Sequence, residues 1–251
     1  MNAIAIIACP NRLDNAAFGF YDAYSKDQNG EGVIMADGVT KPELSLQPRT
    51  GLSLQSTVEE QLLSGMDVTD AHFVGETLQD VGGTLMEFSG CIFERCTFGT
   101  LAFKRMSFVD CAFEKCELCN CRMPDATFQR VSFAGCRMTG LEITNAALMN
   151  ATFDSCMLDY LSVADSKLER VLWHSCPMRE SLWSNVKLGK TRFESCNLKQ
   201  AQWTYTSLKD IDMTTCELEG WAINPADLRG IRVASAQAIL LSTMLGIVIA
   251  D

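Results

Sequence analysis

The chain has 251 residues, 47% of them hydrophobic, with a formal net charge of −10 at pH 7, which is enough for one sizeable core or two small domains. A sequence isoelectric point near 4.7 argues against direct nucleic-acid binding, because a phosphate backbone calls for a cationic face. No apolar run reaches the length of a membrane span, and the short apolar run at the start lacks the basic flank of a signal peptide, so the expected location is the cytoplasm.

In chain order, residues 1–62 show no short repeat and read as a small cap domain or an independent module. Ala3 to Ala8 and Val33 to Met35 are predicted short strands, and Asn29-Gly30 and Asp37-Gly38 are turn signals. Thr40 to Ser56, with two Pro and one Gly, suits a linker or loop. Ser56 to Leu63 is predicted to form a short helix opened by a Ser cap.

Residues 63–233 are dominated by a period of five, degenerate over 63–83 and regular from 84. Val68, Phe73 and Leu78 fall in phase with the regular pentads, and Gly83 interrupts. From Phe88, Phe93 and Phe98 through Leu228 and Val233, a large apolar residue occupies every fifth position for thirty consecutive pentads. A smaller side chain, often Cys, Ala, Ser or Thr, sits two positions earlier. In an extended backbone that spacing puts both on one face. Five matches neither a helix at 3.6 nor a long strand at 2, so the pattern demands a short extended segment and a corner, repeated. A fixed short period of this kind means a solenoid. Cys96, Cys116, Cys136, Cys156, Cys176, Cys196 and Cys216 recur every twenty residues, which gives four pentads per coil. At roughly 4.8 Å between coils, the rod is about 36 Å long.

The pentads Ala126-Thr-Phe128-Gln-Arg, Ala151-Thr-Phe153-Asp-Ser, Cys196-Asn-Leu198-Lys-Gln and Ala226-Asp-Leu228-Arg-Gly resemble the pentapeptide-repeat family. The resemblance covers most of the chain and implies an all-β solenoid, a right-handed quadrilateral β-helix. After Val233, Ala236, Ile239, Leu240, Met244 and Leu245 carry helical spacing ahead of Gly246, and Ile247 to Ile249 read as a terminal strand. Residues 234–251 are therefore expected to cap the rod. Asp227 to Val233, followed by the Gln237 to Ile247 run, resembles the ending of Qnr-type quinolone-resistance proteins. That resemblance implies end-to-end homodimerisation, through Ile239, Leu240, Met244, Leu245 and Ile247 here. It also implies a rod that mimics DNA and binds DNA gyrase or topoisomerase IV, protecting against a drug or toxin.

Ten of the twelve cysteines occupy the small inward site, leaving Cys9 and Cys119 outside it. Cys116-Glu-Leu-Cys119 contains a CxxC spacing, but the register points Cys116 inward and Cys119 outward, so free structural thiols are expected, with no metal and no cofactor. Two histidines, His72 and His174, and no phosphate loop give catalysis no support, and the expected class is non-enzymatic. The outward column Glu94, Glu114, Asp154 and Glu194 is the candidate partner-binding stripe, with Arg95 and Lys115 beside it. Residues 1–83 carry a net charge of −8 and residues 84–233 only −1. Two further readings stay open: a scaffold for another partner, using the lightly charged face around Leu182, Gln202, Tyr205 and Asn224, or a dimerisation stalk for a functional N-terminal module.

Overall fold

A computed structural model of the protein describes residues 38–244, 246 and 247. The expected strands and turn before Asp37, the terminal strand beyond Ile247, and Cys9 and Leu245 lie outside the described residues. What the pentads build is a four-sided parallel β-solenoid. Every strand pairs with the residue twenty positions away: Val68 with Phe88, Phe108 with Phe128, Phe153 with Trp173 and Trp203 with Ile223. The coil that the sequence reads as degenerate already keeps this offset, with Phe73 opposite Phe93 and Leu78 opposite Phe98.

Corners come from the backbone. From Asp110 to Asp210 every fifth residue has a positive φ, two positions after the large inward side chain. Asp, Asn, Gly and Ser hold most of these corners, as expected for residues that tolerate the left-handed region. Between corners, the large residue and its small partner point inward. Of the thirty large positions, 27 are buried and only Leu188, Leu228 and Val233 are half-buried. One ladder of rings runs up the interior through Phe93, Phe113, Phe133 and Phe153 to Trp173, with successive centroids 4.6, 4.6, 4.7 and 3.9 Å apart.

A solenoid leaves its first and last coils without a neighbour, so both ends need covers. At the start, helix α1 (Leu54–Ser64) buries Leu54 and Val58 in the core. Its cap is Ser53, whose side chain accepts from the Ser56 N–H, three residues ahead of the expected Ser56. Gly83 explains why the pentad series breaks there: a Cβ would lie 3.2 Å from the Leu62 side chain, so the missing side chain makes room for α1. At the other end lies helix α2 (Ser235–Met244), followed by Gly246 at φ 72°. Gln237 closes the last coil by donating to the Met213 and Cys216 carbonyls at 2.7 and 2.6 Å.

The segment expected as a linker is instead laid lengthwise on the rod. Thr40 N–H donates to Asn150 Oδ1, Glu43 N–H to Asp110 Oδ1, and Arg49 forms a parallel bridge with Ala71. Leu44 is buried against Ile92 and Ala112, which point outward from the solenoid.

Candidate functional site

The carboxylate column sits where the repeat places it, at the ends of strands on one face, and each member faces a cation or a histidine. Glu94 contacts His72 at 3.2 Å and also pairs with Arg95. Glu114 is 3.4 Å from Lys115, and Glu194 is 3.5 Å from Arg192. Asp154 is 2.6 Å from His174 Nδ1. Ser175 lies beside the last pair, its Oγ 3.4 Å from His174 Nε2. These are the residue types of a nucleophilic triad, but the neighbouring N–H donors are committed: Ser175 N–H to the Glu194 carbonyl and Ser195 N–H to Thr215. Neither of these two donors is left to face a forming oxyanion.

The ten inward thiols are buried and Cys119 is partly exposed. Burial first, then the neighbouring Cys119, pushes the Cys121 thiol up to about 11. Hydrogen bonding to Cys116, reinforced by burial, pushes Cys96 up as well. A thiol held protonated is a poor nucleophile and a poor metal ligand. Among the described residues, no group of three or more His, Cys, Asp or Glu side chains is placed to hold a metal ion.

A different face has the character of a contact surface. Four of its strands, Ser162–Ala164, Leu182–Ser184, Gln202–Thr204 and Ala222–Ile223, stack in register and carry no charged residue, while the same sheet continues through Glu142–Thr144 and Arg122–Pro124, where Arg122 pairs with Glu142 at 3.0 Å. Leu182 stands 45% exposed at its centre. The two edges are corners that hold bulky aromatic residues in the left-handed region: Tyr160 at φ 61° and Tyr205 at φ 52°. They are 56% and 83% exposed, so packing does not repay the strain. The other corners share this backbone, so what sets these two apart is a large aromatic side chain left in solvent. Tyr160 Oη donates to Glu180 Oε1 at 3.2 Å, and the Glu180 charge raises the phenol's pKa. Beside them a groove of about 370 Å³ is lined by Tyr160, Glu180, Gln200, Gln202, Gly220 and Ala222. Sequence reasoning reaches Leu182, Gln202 and Tyr205 through the lack of charge. It misses Tyr160, although an aromatic residue at a corner position is visible in the register.

At the C-terminal end, Leu240 and Met244 pack against the rod's own core, while Ile239 and Ile247 are exposed. Among the described residues, no helix is long and apolar enough to cross a membrane.

A four-cornered parallel coil with one large and one small inward residue per side defines a solenoid repeat protein. Residues 86–162 and 126–203 match the family model described as pentapeptide repeat region, so this stretch of the chain is a pentapeptide-repeat solenoid. No curated protein matches it. Among solved structures, it is similar to a trypsin-treated variant of QnrB1, described as a plasmid-mediated fluoroquinolone resistance protein. The identity is 15%, the TM-score 0.34, and the match covers 73% of this chain and 99% of that one. It is also similar to HetL, a pentapeptide repeat protein involved in heterocyst differentiation regulation from the cyanobacterium Nostoc, at 10% identity and TM-score 0.30, over 72% and 94% of the two chains. A third is Rfr23 from the cyanobacterium Cyanothece, at 16% identity and TM-score 0.23, over 39% and 64%. At these values no residue's role transfers between chains.

Proposed function

We propose that the protein is a non-enzymatic binding rod in the cytoplasm whose contact surface is the uncharged face between the Tyr160 and Tyr205 corners. The observation that carries this reading is the pair of exposed tyrosines kept on left-handed corners, flanking an exposed Leu182. Tyrosine gives large contact area at little entropic cost and is enriched where interface energy concentrates. Charge-free strands let a partner approach without desolvating ions.

For the partner, DNA gyrase or topoisomerase IV is the reading that the C-terminal ending supports, through its helix at Ser235–Met244 and αL glycine. Two rods would then associate end to end through Ile239 and Ile247, the apolar side chains that the helix leaves exposed. The testing experiment is supercoiling by purified gyrase, with and without a quinolone, titrated with the native chain, Leu182→Arg/Tyr205→Arg, or Glu114→Gln/Asp154→Asn/Glu194→Gln. Inhibition or drug protection lost only in the first variant supports both partner and surface. Loss only in the carboxylate variant moves the surface to the acidic column. If gyrase and topoisomerase IV ignore the native chain, the partner is another protein, to be found with a photocrosslinking residue at position 182.

A further inference from the structure

The rod has a second surface, separate from the uncharged strand face, and the chain covers it itself. On the face through Phe93 and Phe113, the outward residues Ile92, Ala112, Ser132, Thr152 and Leu172 are uncharged and buried. Their successors Arg192, Asp212 and Arg232 are charged and not buried. Along the lower part of this column lie residues 39–49, in a fixed register. Thr40 N–H reaches Asn150 Oδ1 at 3.3 Å and Glu43 N–H reaches Asp110 Oδ1 at 2.9 Å. Those acceptors are two coils apart, roughly 9.6 Å, which is what three extended residues span at about 3.2 Å each. One N–H per three residues therefore meets one corner acceptor per two coils. The acceptors are held in place by the corners between and beyond them: Arg130 chelates Asp110 at 2.6 and 2.5 Å, and Arg170 donates to Asn150 at 3.0 Å. Leu44 fills the apolar end over Ile92 and Ala112, and the neighbouring Leu46 bends away into solvent.

Strands in a parallel coil use their own backbone groups on the coils above and below. A segment running along the axis makes backbone bridges only near its two ends, at Thr40 and, with Ala71, at Arg49, and Pro42 and Pro48 have no N–H to contribute. The strap is held by side-chain acceptors and by the buried side chains of Val39, Pro42 and Leu44, with no backbone ladder over residues 41–48, so it is exchangeable in a way that a sheet strand is not. We propose that this face is a peptide-binding groove, occupied in cis by residues 39–49, that accepts an extended segment of a partner protein with the same chemistry. That segment places an aliphatic side chain over Ile92 and Ala112 and offers an N–H at every third residue.

The test uses the full chain and a fluorescent peptide of residues 38–50, read by anisotropy. Wild type, with its groove filled, should bind weakly. Leu44→Ser, whose own strap is loosened, should bind about tenfold or more tightly, because apparent affinity scales with the fraction of open groove. A peptide carrying Leu44→Ser should not bind. Hydrogen exchange on the unaltered chain supplies the second measurement, and it decides alone if Leu44→Ser fails to fold. The Thr40 and Glu43 amides should exchange well before those of Phe133 and Phe153. Absence of peptide binding to a folded Leu44→Ser chain, or strap amides that exchange only with the core, would overturn the proposal.

Discussion

Replacing Phe133 by Ala tests whether the interior ladder holds the rod as a single cooperative unit. Phe133 is 2% exposed, stacked on Phe113 at 4.6 Å and Phe153 at 4.7 Å, with an edge contact to Phe128 at 6.0 Å. Truncating a buried Phe costs about 3–5 kcal/mol, from lost transfer energy and the cavity left behind. Each ring contact adds about 0.5–1.5 kcal/mol beyond buried area. Ladders above and below hold the coil spacing, so collapse into the hole is hindered, and a loss of about 4–5 kcal/mol is expected. With a urea m-value of about 3 kcal/mol/M, the midpoint would fall by about 1.5 M. Because each coil contacts only its neighbours, a hole at mid-rod should also lower m as the two halves uncouple. Leu228→Ala at the half-buried last coil is the internal comparison, with a loss below about 2 kcal/mol. A Phe133→Ala loss under about 1 kcal/mol, or one equal to that of Leu228→Ala, would refute the view of a locked stack.

Thr191→Val should raise stability by roughly 1 kcal/mol in thermal melts, because the buried Thr191 hydroxyl has no hydrogen-bond partner. Gln237→Leu should cost roughly 1–3 kcal/mol by unpairing two end carbonyls, at Met213 and Cys216. Burial opposes ionisation of Asp159, but hydrogen bonds from the Arg179 side chain and N–H outweigh it and lower the pKa. That contribution is full above the unfolded value of about 3.9 and lost as pH falls through the folded one. Asp159→Asn should therefore flatten the acid limb of urea midpoints measured between about pH 5 and 2. Among the described residues, a maleimide should label only Cys119 in the native state, with the ten buried thiols reacting after unfolding; mass spectrometry counts the adducts.

Much of the fold is legible because a solenoid converts short sequence periods directly into geometry. The pentad puts Phe113 and Phe133 inside, and the twenty-residue Cys column gives the coil length without any long-range inference. What fails to show is whatever depends on contact between distant segments. The strap around Leu44 looks like linker because its partners, Ile92 and Ala112, sit at outward positions that usually meet water. A signal was present in the register: five uncharged outward residues from Ile92 to Leu172, then Arg192, Asp212 and Arg232. The helix start slipped from Ser53 to Ser56 because the sequence offers two serines, and only packing of Leu54 into the core chooses between them. The proposed contact face was half legible. Its lack of charge could be read from Leu182 and Gln202, but the strain at Tyr160 and Tyr205 needed backbone angles.

Net charge is a poor guide to what this rod offers a partner. The value of −10 belongs mostly to residues 1–83, and residues 84–233 are nearly neutral. A DNA duplex carries one charge per roughly 1.7 Å of axis. From Glu94 to Glu194 the column rises five coils, about 24 Å at 4.8 Å each, and presents four carboxylates. One charge per roughly 6–8 Å is several-fold below duplex density, before the nearby cations are counted. Arg95, Lys115 and Arg192 and the two histidines then sit on those same carboxylates. A basic saddle closing on this column would meet pairs already formed, and would have to break them to gain anything. The four uncharged strands ask for less exchange: they carry no ions, Tyr205 and Leu182 already stand in solvent, and only the Tyr160 hydrogen bond to Glu180 lies at their edge. Shape and apolar contact on that side, rather than anionic mimicry along the column, are what the rod supplies at least cost.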